Sequence, residues 1–388
     1  MKTYTHSTNG KNTKNQLIDK VFRKIGAFCK KNVVMIIALV AALITSFIVL
    51  PDKKYLDYFD FKTLTCLFCV LAVVGALKNV RFFYMLAQKT VRLFKTAKMS
   101  VLALVYITFI GSMLIANDMA LLTFLPLGYI VLSTTGKEKY MAFTFIMQNV
   151  SANLGGMLTP FGNPQNLYLY NKFSIPTAEF MGIMLIPFLV SIFLVTVCCL
   201  IFVKSEPLEI PEETFKLPPL KTFIYVLLFA LSIIIVFELI PYWIGLIIIV
   251  LALLFLDRKA LAKVDYPLLF TFVFFFIFAG NTSRLESIKS LFSWLLDKNT
   301  LLFTTLSCQV ISNVPTSILL AQFTSNYKDL LLGVNIGGVG TLIASLASLI
   351  TLREYVKHNP EKGGSYVLKF SIINFAFLGL LIVVCLFI

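Results

Sequence analysis

The sequence has few histidines, few tryptophans and few acidic residues. Its histidines are His6 and His358, and both lie in polar segments, so a histidine-based catalytic or metal centre is not expected. Of the seven cysteines, Cys66 and Cys69 form a C-x-x-C pair, but this pair lies in an apolar run without the histidine or second pair of a zinc site. The apolar segments also lack a nucleophile beside a base. The sequence therefore does not predict an enzyme, a cofactor or a metal centre.

Charged residues make up 14% of the 388 residues, whereas hydrophobic residues make up 58%. A soluble fold cannot bury so much apolar surface. Apolar segments close to the roughly 20 residues that a spanning helix needs recur, most clearly at 33–50, 63–77, 178–203, 222–240 and 366–388. We therefore predict an all-α polytopic membrane protein with about 11 transmembrane segments, embedded in a lipid bilayer.

Basic residues outnumber acidic residues by 34 to 19, which gives a formal net charge of +15. They lie in loops beside apolar segments, so they indicate the positive-inside signal rather than a nucleic-acid partner. The basic residues fall mainly on one side of the membrane when residues 99–135 and 300–325 are treated as hairpins. Each hairpin then enters and leaves the membrane on the same side. This map predicts a multi-pass plasma-membrane protein with a cytoplasmic N-terminus, and its cytoplasmic segments are 1–32, 78–98, 137–139, 204–221, 258–263 and 353–362.

A segment rich in Pro and Glu, residues 204–221, separates two long apolar blocks and reads as a cytoplasmic linker. It divides the chain into a basic cytoplasmic tail at 1–32, a first repeat at 33–203 and a second repeat at 222–388. The first repeat contains hairpin 99–135 and a predicted broken helix at 141–168. The second contains hairpin 300–325 and a predicted broken helix at 328–352.

Two motifs recur in the halves in the same order. Asn153-Leu-Gly-Gly-Met-Leu-Thr159 aligns without gaps on Asn335-Ile-Gly-Gly-Val-Gly-Thr341, and a hairpin with an asparagine at its turn precedes each. Small residues that permit close helix packing would explain the glycines, but not the shared order. Because the hairpins open on opposite sides of the charge map, we predict two inverted-topology repeats with re-entrant hairpins, the architecture of many secondary transporters.

A helix broken inside a membrane leaves backbone groups that protein, water or a ligand must satisfy. Half-helix ends then bind an anion or a small cation. The expected substrate-binding residues are the helix-break glycines Gly155, Gly156, Gly337 and Gly338, with Asn117, Asn153, Thr159, Asn163, Ser312, Asn313, Thr316, Asn335 and Thr341.

Asp118 is the one carboxylate expected deep in the protein at a hairpin turn. An intramembrane carboxylate is a functional candidate because its burial is unfavourable, so Asp118 is expected to carry a coupling proton or to ligate sodium, with Asn117 and Asn313 as further ion-coupling residues. Two alternatives remain open, a helix cap and a shallow, solvated position.

At these motifs the sequence resembles the ion transporter superfamily, which includes arsenite permeases, related sodium/proton antiporters, citrate transporters and divalent-anion/sodium symporters. The motifs are ANDMALLTFLPL at 116–127, NLGGMLTPFGNPQN at 153–166, SNVPTSILL at 312–320 and NIGGVGTLIASLASL at 335–349. The resemblance implies a homodimer in which a transport domain moves against a scaffold domain, and it adds Pro160 and Gly162 to the site. The Ala-Asn-Asp of the first turn is closer to the arsenite-permease pattern than to the Ser-Asn-Thr of dicarboxylate symporters.

The leading hypothesis is a secondary active transporter of a small carboxylate or inorganic oxyanion, coupled to sodium or protons by alternating access. The first rival is a sodium/proton antiporter that uses Asp118, and an arsenite-type permease is a further alternative. A passive channel is less favoured because an inverted repeat is typical of carriers.

Overall fold

The computed structural model describes residues 32–208 and 217–388, together with Gly26 and Phe28. Within these residues the regular elements are helices, and the one β-bridge joins Thr96 to Pro207. Most of the predicted basic tail and the centre of the predicted linker lie outside the described residues.

Eight α-helices lie between residues 33 and 202. They are α1 (Val33–Ile48), α2 (Phe61–Asn79), α3 (Phe82–Arg92), α4 (Ala97–Ile115), α5 (Asn117–Thr134), α6 (Met141–Gly155), α7 (Pro164–Lys172) and α8 (Thr177–Phe202). A single residue, Ala116, separates the two arms of the first hairpin, α4 and α5. The first broken helix consists of α6 and α7, with a short 3-10 turn between them.

The second half repeats this order from α12 onward. Its helices are α9 (Pro219–Val236), α10 (Tyr242–Leu256), α11 (Arg258–Ala262), α12 (Tyr266–Ser283), α13 (Glu286–Lys298), α14 (Thr300–Ile311), α15 (Asn313–Leu320), α16 (Tyr327–Ile336), α17 (Leu346–His358) and α18 (Gly363–Leu386). Ser312 separates the arms of the second hairpin, α14 and α15, and the second broken helix consists of α16 and α17. Each half thus runs from a long helix through a short amphipathic helix to a hairpin, a broken helix and a final long helix.

Seven helical segments of the described chain are long and apolar enough to cross a membrane, and α1, α10 and α14 are shorter apolar helices. The prediction of an all-helical polytopic membrane protein is confirmed. The arms of the first hairpin, with 19 and 18 residues, are among the seven. The exact number of crossings and the inverted orientation of the repeats stay predictions.

The two halves interlock at the hairpins. Each first arm packs along the broken helix of its own half, α4 on α6 and α14 on α16. Each second arm packs on the broken helix of the other half, α5 on α17 and α15 on α7. Outside this group, α12 packs against α1, while α9 and α10 pack against α2. The hairpin turns are therefore held between segments that are far apart in the sequence.

Glu206 ties the segment after α8 to the loop before α6. Its carboxylate accepts hydrogen bonds from Lys137 Nζ at 2.9 Å, Lys139 Nζ at 2.5 Å and the Tyr140 hydroxyl at 2.9 Å. Its carbonyl oxygen accepts the backbone N–H of Ala97 at the start of α4, at 2.8 Å. One glutamate thus joins the first hairpin, the first broken helix and the chain that leaves the first half.

We expect Glu206→Gln to lower the melting temperature at neutral pH. The control is Glu361→Gln, because Glu361 is an exposed glutamate just before α18. Hydrogen bonds from Lys139, Lys137 and Tyr140 lower the pKa of Glu206 from its ordinary value of 4.5 to about 2. Since the folded-state pKa is depressed, the stabilisation is present above pH 4.5 and is lost as the pH falls towards 2. The difference between the native and variant melting temperatures should therefore narrow as the pH falls over that range. A difference that does not depend on pH would contradict stabilisation by the ionised Glu206 carboxylate.

Candidate functional site

Both hairpins turn at a non-glycine residue with positive φ. Ala116 has φ 64° and ψ 152°, and Ser312 has φ 73° and ψ 154°. This backbone region is almost restricted to glycine, and strained conformations of this kind cost roughly 1–3 kcal/mol. In both hairpins the next residue is an asparagine, and its Oδ1 accepts the backbone N–H of the residue that follows, at 2.9 Å for Asn117 and 3.0 Å for Asn313. The same strained turn therefore occurs in both halves.

A cavity of about 990 Å³ extends from the protein surface to both turns. Four helices start at its inner end, and their first residues or caps line it: Asn117 of α5, Pro164 of α7, Asn313 of α15 and Ser345 before α17. A helix N-terminus carries the positive end of a dipole. The inner end of the cavity therefore combines four positive helix ends.

Asp118 lines this cavity beside Asn117. One of its carboxyl oxygens, Oδ1, is buried and has no hydrogen-bond partner among the described residues. The cap residue of α5 is Ala116, which offers no side-chain hydrogen bond. The assignment of Asp118 to ion coupling rather than to a helix cap stays a prediction.

Asn153, Asn163 and Asn335 are buried and form a layer behind the turns. Asn117 Nδ2 donates to Asn153 Oδ1 at 3.2 Å, and Asn163 Nδ2 donates to the Asn153 carbonyl oxygen at 3.4 Å. Asn335 Nδ2 donates to Asn166 Oδ1 at 2.7 Å, which joins the two broken helices. The side-chain oxygens of Asn163 and Asn335 are buried without a hydrogen-bond partner in the described chain. The residues that line the cavity do not include Asn163 or Asn335, so both oxygens lie behind its surface.

The three threonines of the predicted site bond to backbone carbonyls. Thr159 donates to the Met113 carbonyl oxygen at 2.8 Å, and Thr341 donates to that of Gln309 at 2.9 Å. Met113 and Gln309 both lie three residues before their hairpin turn, so each threonine holds the first arm of a hairpin against its own broken helix. Thr316 is buried in α15 and donates back to the Ser312 carbonyl oxygen at 2.7 Å.

Asn166 and Gln309, which the prediction of site residues missed, satisfy backbone groups at the helix breaks. Asn166 Nδ2 lies within hydrogen-bond distance of the carbonyl oxygens of Gly156, Met157 and Thr159, at 3.1 to 3.4 Å. Gln309 Nε2 donates to the carbonyl oxygens at the second break, Gly337 at 3.0 Å and Val339 at 3.2 Å. Exposed backbone groups inside a membrane need such partners. Asn166 lies in the motif at 153–166 and could have been predicted. Gln309 lies far from its helix break in the sequence, so only the fold shows this contact.

The glycines of the breaks allow close backbone approach. A Cβ on Gly155 would lie 2.2 Å from the Phe109 carbonyl oxygen, and one on Gly162 would lie 2.3 Å from the Gly156 carbonyl oxygen. The other glycines predicted to bind substrate, Gly156, Gly337 and Gly338, are also closely surrounded by other atoms. Pro160, which was predicted with them, is buried. Gly338 lies against Asn313 and Asn153, so it helps to bring the second turn beside the first broken helix.

We expect Gly155→Ala to destabilise the protein by about 1–3 kcal/mol, the usual effect of overpacking a close contact. The added methyl group collides with a backbone carbonyl and with Ser112 Oγ, so α6 must move away from α4. Gly379→Ala in α18 is the matched control, because a Cβ added there would have no atom within 4 Å. Thermal denaturation of both purified variants checks the prediction, and equal melting temperatures would contradict the packing of α6 on α4.

The mouth of the cavity is predominantly basic. Besides Asp118, the charged residues that line the cavity are the basic residues Lys78, Arg81, Lys263, Arg353 and Lys357 and the acidic residues Asp265 and Glu354. From the sequence, these basic residues indicate only which loops face the cytoplasm. The sequence does not predict that they line the same cavity. They come from three separate segments, so only the fold shows that they share one cavity.

The sequence is similar to known transporter sequences over most of its length. The family model described as "Citrate transporter" matches residues 22–328. The uncharacterized transporter MJ0456 of Methanocaldococcus jannaschii is 35% identical over 296 residues, which are 76% of this chain and 81% of that protein. The inner membrane protein YbiR of Escherichia coli is 27% identical over 327 residues, which are 82% of this chain and 86% of that protein. The residues that match the family model include both hairpin turns and the first broken helix.

Proposed function

The chain belongs to the citrate transporter family, and from this premise we propose that it carries a small anion by alternating access as a secondary active transporter. The anion is a carboxylate or an inorganic oxyanion. The observation that carries the proposal is the convergence of four helix N-termini, those of α5, α7, α15 and α17, on one cavity. Such termini attract anions through the positive ends of their dipoles.

The basic mouth supports the same substrate class. Five Lys and Arg side chains around the opening raise the local concentration of anions. They belong to segments 78–98, 258–263 and 353–362, which the charge distribution assigns to the cytoplasm. On this assignment the structure is the inward-facing state, with the anion site open to the cytoplasm.

Asp118 supplies a physical basis for coupling to sodium or protons. An ionised carboxylate beside the anion site repels the substrate, and a bound proton or sodium ion removes that repulsion. Binding of the cation and binding of the anion then favour each other, because a coupling free energy between two sites is reciprocal. The unpaired oxygens of Asn163 and Asn335 are suitable further ligands for sodium, since hard cations prefer oxygen.

A sodium/proton antiporter is the second candidate, and the partnerless carboxyl oxygen of Asp118 favours it. In that case Asp118 exchanges the two cations and no anion moves. An arsenite-type permease is consistent with the Ala-Asn-Asp turn, because neutral amide donors also fit an uncharged oxyacid. These candidates differ in which solute must bind for the protein to be stabilised.

Thermal stability of the purified protein tests the proposal. Citrate, sulfate, phosphate and arsenite are each added with sodium, with potassium or at low pH, because a ligand that binds only the folded state stabilises it by about 2.7 kcal/mol at a hundred times its Kd. The expected result is a rise in melting temperature with one anion that requires sodium or protons. Stabilisation by sodium or low pH alone, with no effect of any anion, would favour the antiporter.

We further propose that the protein is a homodimer in the plasma membrane with its N-terminus in the cytoplasm. The exposed apolar faces of α9 and α10 offer a surface for lipid or for a second subunit, with Phe223, Leu227, Ile247, Leu251 and Phe255. Native mass spectrometry from lipid nanodiscs checks the dimer, and a mass of one chain at all concentrations would contradict it.

A further inference from the structure

The long helices α2 and α12 begin with the same cap. Asp60 Oδ1 accepts the backbone N–H of Thr63 at 2.9 Å, and Asp265 Oδ1 accepts that of Leu268 at 3.1 Å. Aligning the two aspartates also places Gly75 of α2 on Gly280 of α12. The two helices therefore correspond position by position. The Asn-x-Gly-Gly alignment extends in the same way into α7 and α17.

The same alignments relate two pockets at different places in the fold. A pocket of about 240 Å³ is lined by residues of α2, α7 and α12 and by the loops beside them, and the charge map assigns it to the outer side. The large cavity is lined by the corresponding positions in the other half. The pairs used below, small pocket first, are Asp60 with Asp265, Phe276 with Leu71, Asn171 with Arg353 and Tyr168 with Ile350. The small pocket is thus the counterpart of the large cavity, but its lining does not include the residues of either hairpin turn.

Contacts between α7 and the long helices close the small pocket. Asn171 Nδ2 donates to Thr63 Oγ1 at 2.9 Å, and Thr63 Oγ1 donates to Asp60 Oδ2 at 2.5 Å. The ring of Tyr168 also packs on Phe276, with ring centroids 5.6 Å apart. The broken helix is thus tied to the capping aspartate of α2 through one threonine hydroxyl.

The corresponding groups at the cavity are separated. Arg353 and Asp265 are both exposed and line the cavity from α17 and from the start of α12. The ion pairs of the described residues do not include one between them. Leu268, which corresponds to Thr63, has no hydroxyl to connect α17 to Asp265. The arginine side chain is longer than that of Asn171 and can reach the carboxylate directly.

We propose that Arg353 and Asp265 form an ion pair that closes the cavity when the transporter faces the other side. The inference rests on the proposed alternating access, in which the two halves exchange conformations. A guanidinium can bind both carboxylate oxygens at once, which suits a contact that must form in a fixed geometry. Ile350 then packs on Leu71, as Tyr168 packs on Phe276 now. The ion pair stabilises the closed state and is absent from the open one.

Charge reversal and charge exchange test the pair in transport. Arg353→Asp and Asp265→Arg should each lower citrate or sulfate uptake about tenfold, the effect of about 1.4 kcal/mol on one conformational state. The double variant should recover to within about threefold of the native rate, because the exchanged charges attract again. Lys357→Asp is the matched control at the same mouth, and its defect should not be corrected by Asp265→Arg. A double variant as slow as the singles would overturn the proposal.

A second measurement does not depend on transport. Leu122→Cys, in the cavity, should react faster with a membrane-impermeant maleimide when Arg353→Asp or Asp265→Arg is added, because the closed state has lost its ion pair. The double charge exchange should restore the slower labelling, with native-cysteine labelling measured as the blank. Restored labelling without uptake of any anion would retain the ion pair and refute the proposed function. Uptake with the same labelling rate in all four backgrounds would refute the ion pair alone.

Discussion

Replacing Asn117 by Ala is expected to lower anion uptake in proteoliposomes by about a hundredfold. Its Oδ1 holds the backbone N–H of Asp118, and its Nδ2 donates to Asn153. Alanine leaves one buried group, Asn153 Oδ1, and one half-buried group, the Asp118 N–H, without these partners. A buried polar group without a partner costs about 1–3 kcal/mol, and every 1.4 kcal/mol changes an equilibrium about tenfold. The variant therefore loses both the geometry of the strained turn and one wall of the site.

Two further variants test this prediction, one in the second hairpin and one as a control. Asn313→Ala should give a loss of similar size, because Asn313 makes the same contact with the next backbone N–H in the second hairpin. Asn281→Ala is the control: it removes a buried amide that bonds Thr45 and Ser46 far from the turns. It should lower the melting temperature and leave uptake per folded molecule within about twofold, since sites without shared partners act independently. Native uptake in both turn variants would contradict the assignment of the site.

Replacing Asp118 by Asn is expected to separate anion binding from the coupling ion. Asparagine has nearly the same shape but cannot take up a proton and carries no charge to hold sodium. The anion should therefore bind whether or not sodium or protons are present, because the repulsive charge is gone. Uptake driven by an ion gradient should fall by about a hundredfold, while exchange of labelled for unlabelled anion continues, as expected when a coupling free energy is removed.

Uptake and exchange measured in the same proteoliposomes give this result directly. Asp297→Asn, a carboxylate near the start of α14 and away from the cavity, should leave both rates unchanged. If Asp118→Asn retains full sodium- or proton-driven uptake, Asp118 is not the coupling residue. If the variant loses an exchange of sodium for protons that the native protein performs without an anion, the antiporter is the better description.

The turns and breaks could be predicted from the sequence because short polar motifs interrupt long apolar segments twice, in the same order. The hairpin ranges 99–135 and 300–325 contain both turns, Ala116 and Ser312. The asparagines at 117 and 313 follow from the same repeat. Polar residues in an apolar segment are conspicuous because a membrane span tolerates few of them.

Other parts of the site depend on contacts between distant segments. Thr159 was expected to line the site, yet its hydroxyl bonds to the backbone of α4. Lys78, Lys263 and Arg353 are far apart in the chain. The positive-inside rule explains their positions in the sequence as well as a role in the cavity does. Only the packing of α2, α12 and α17 around one cavity places them together. No local pattern encodes that arrangement.

Uptake of radiolabelled citrate, sulfate and phosphate into proteoliposomes, with sodium or proton gradients imposed separately, tests the central claim most directly. The account predicts that at least one anion accumulates above its external concentration, and that collapse of the gradient with an ionophore releases it. Sodium or proton flux through the protein without movement of any anion, or anion uptake indifferent to both gradients, would contradict it.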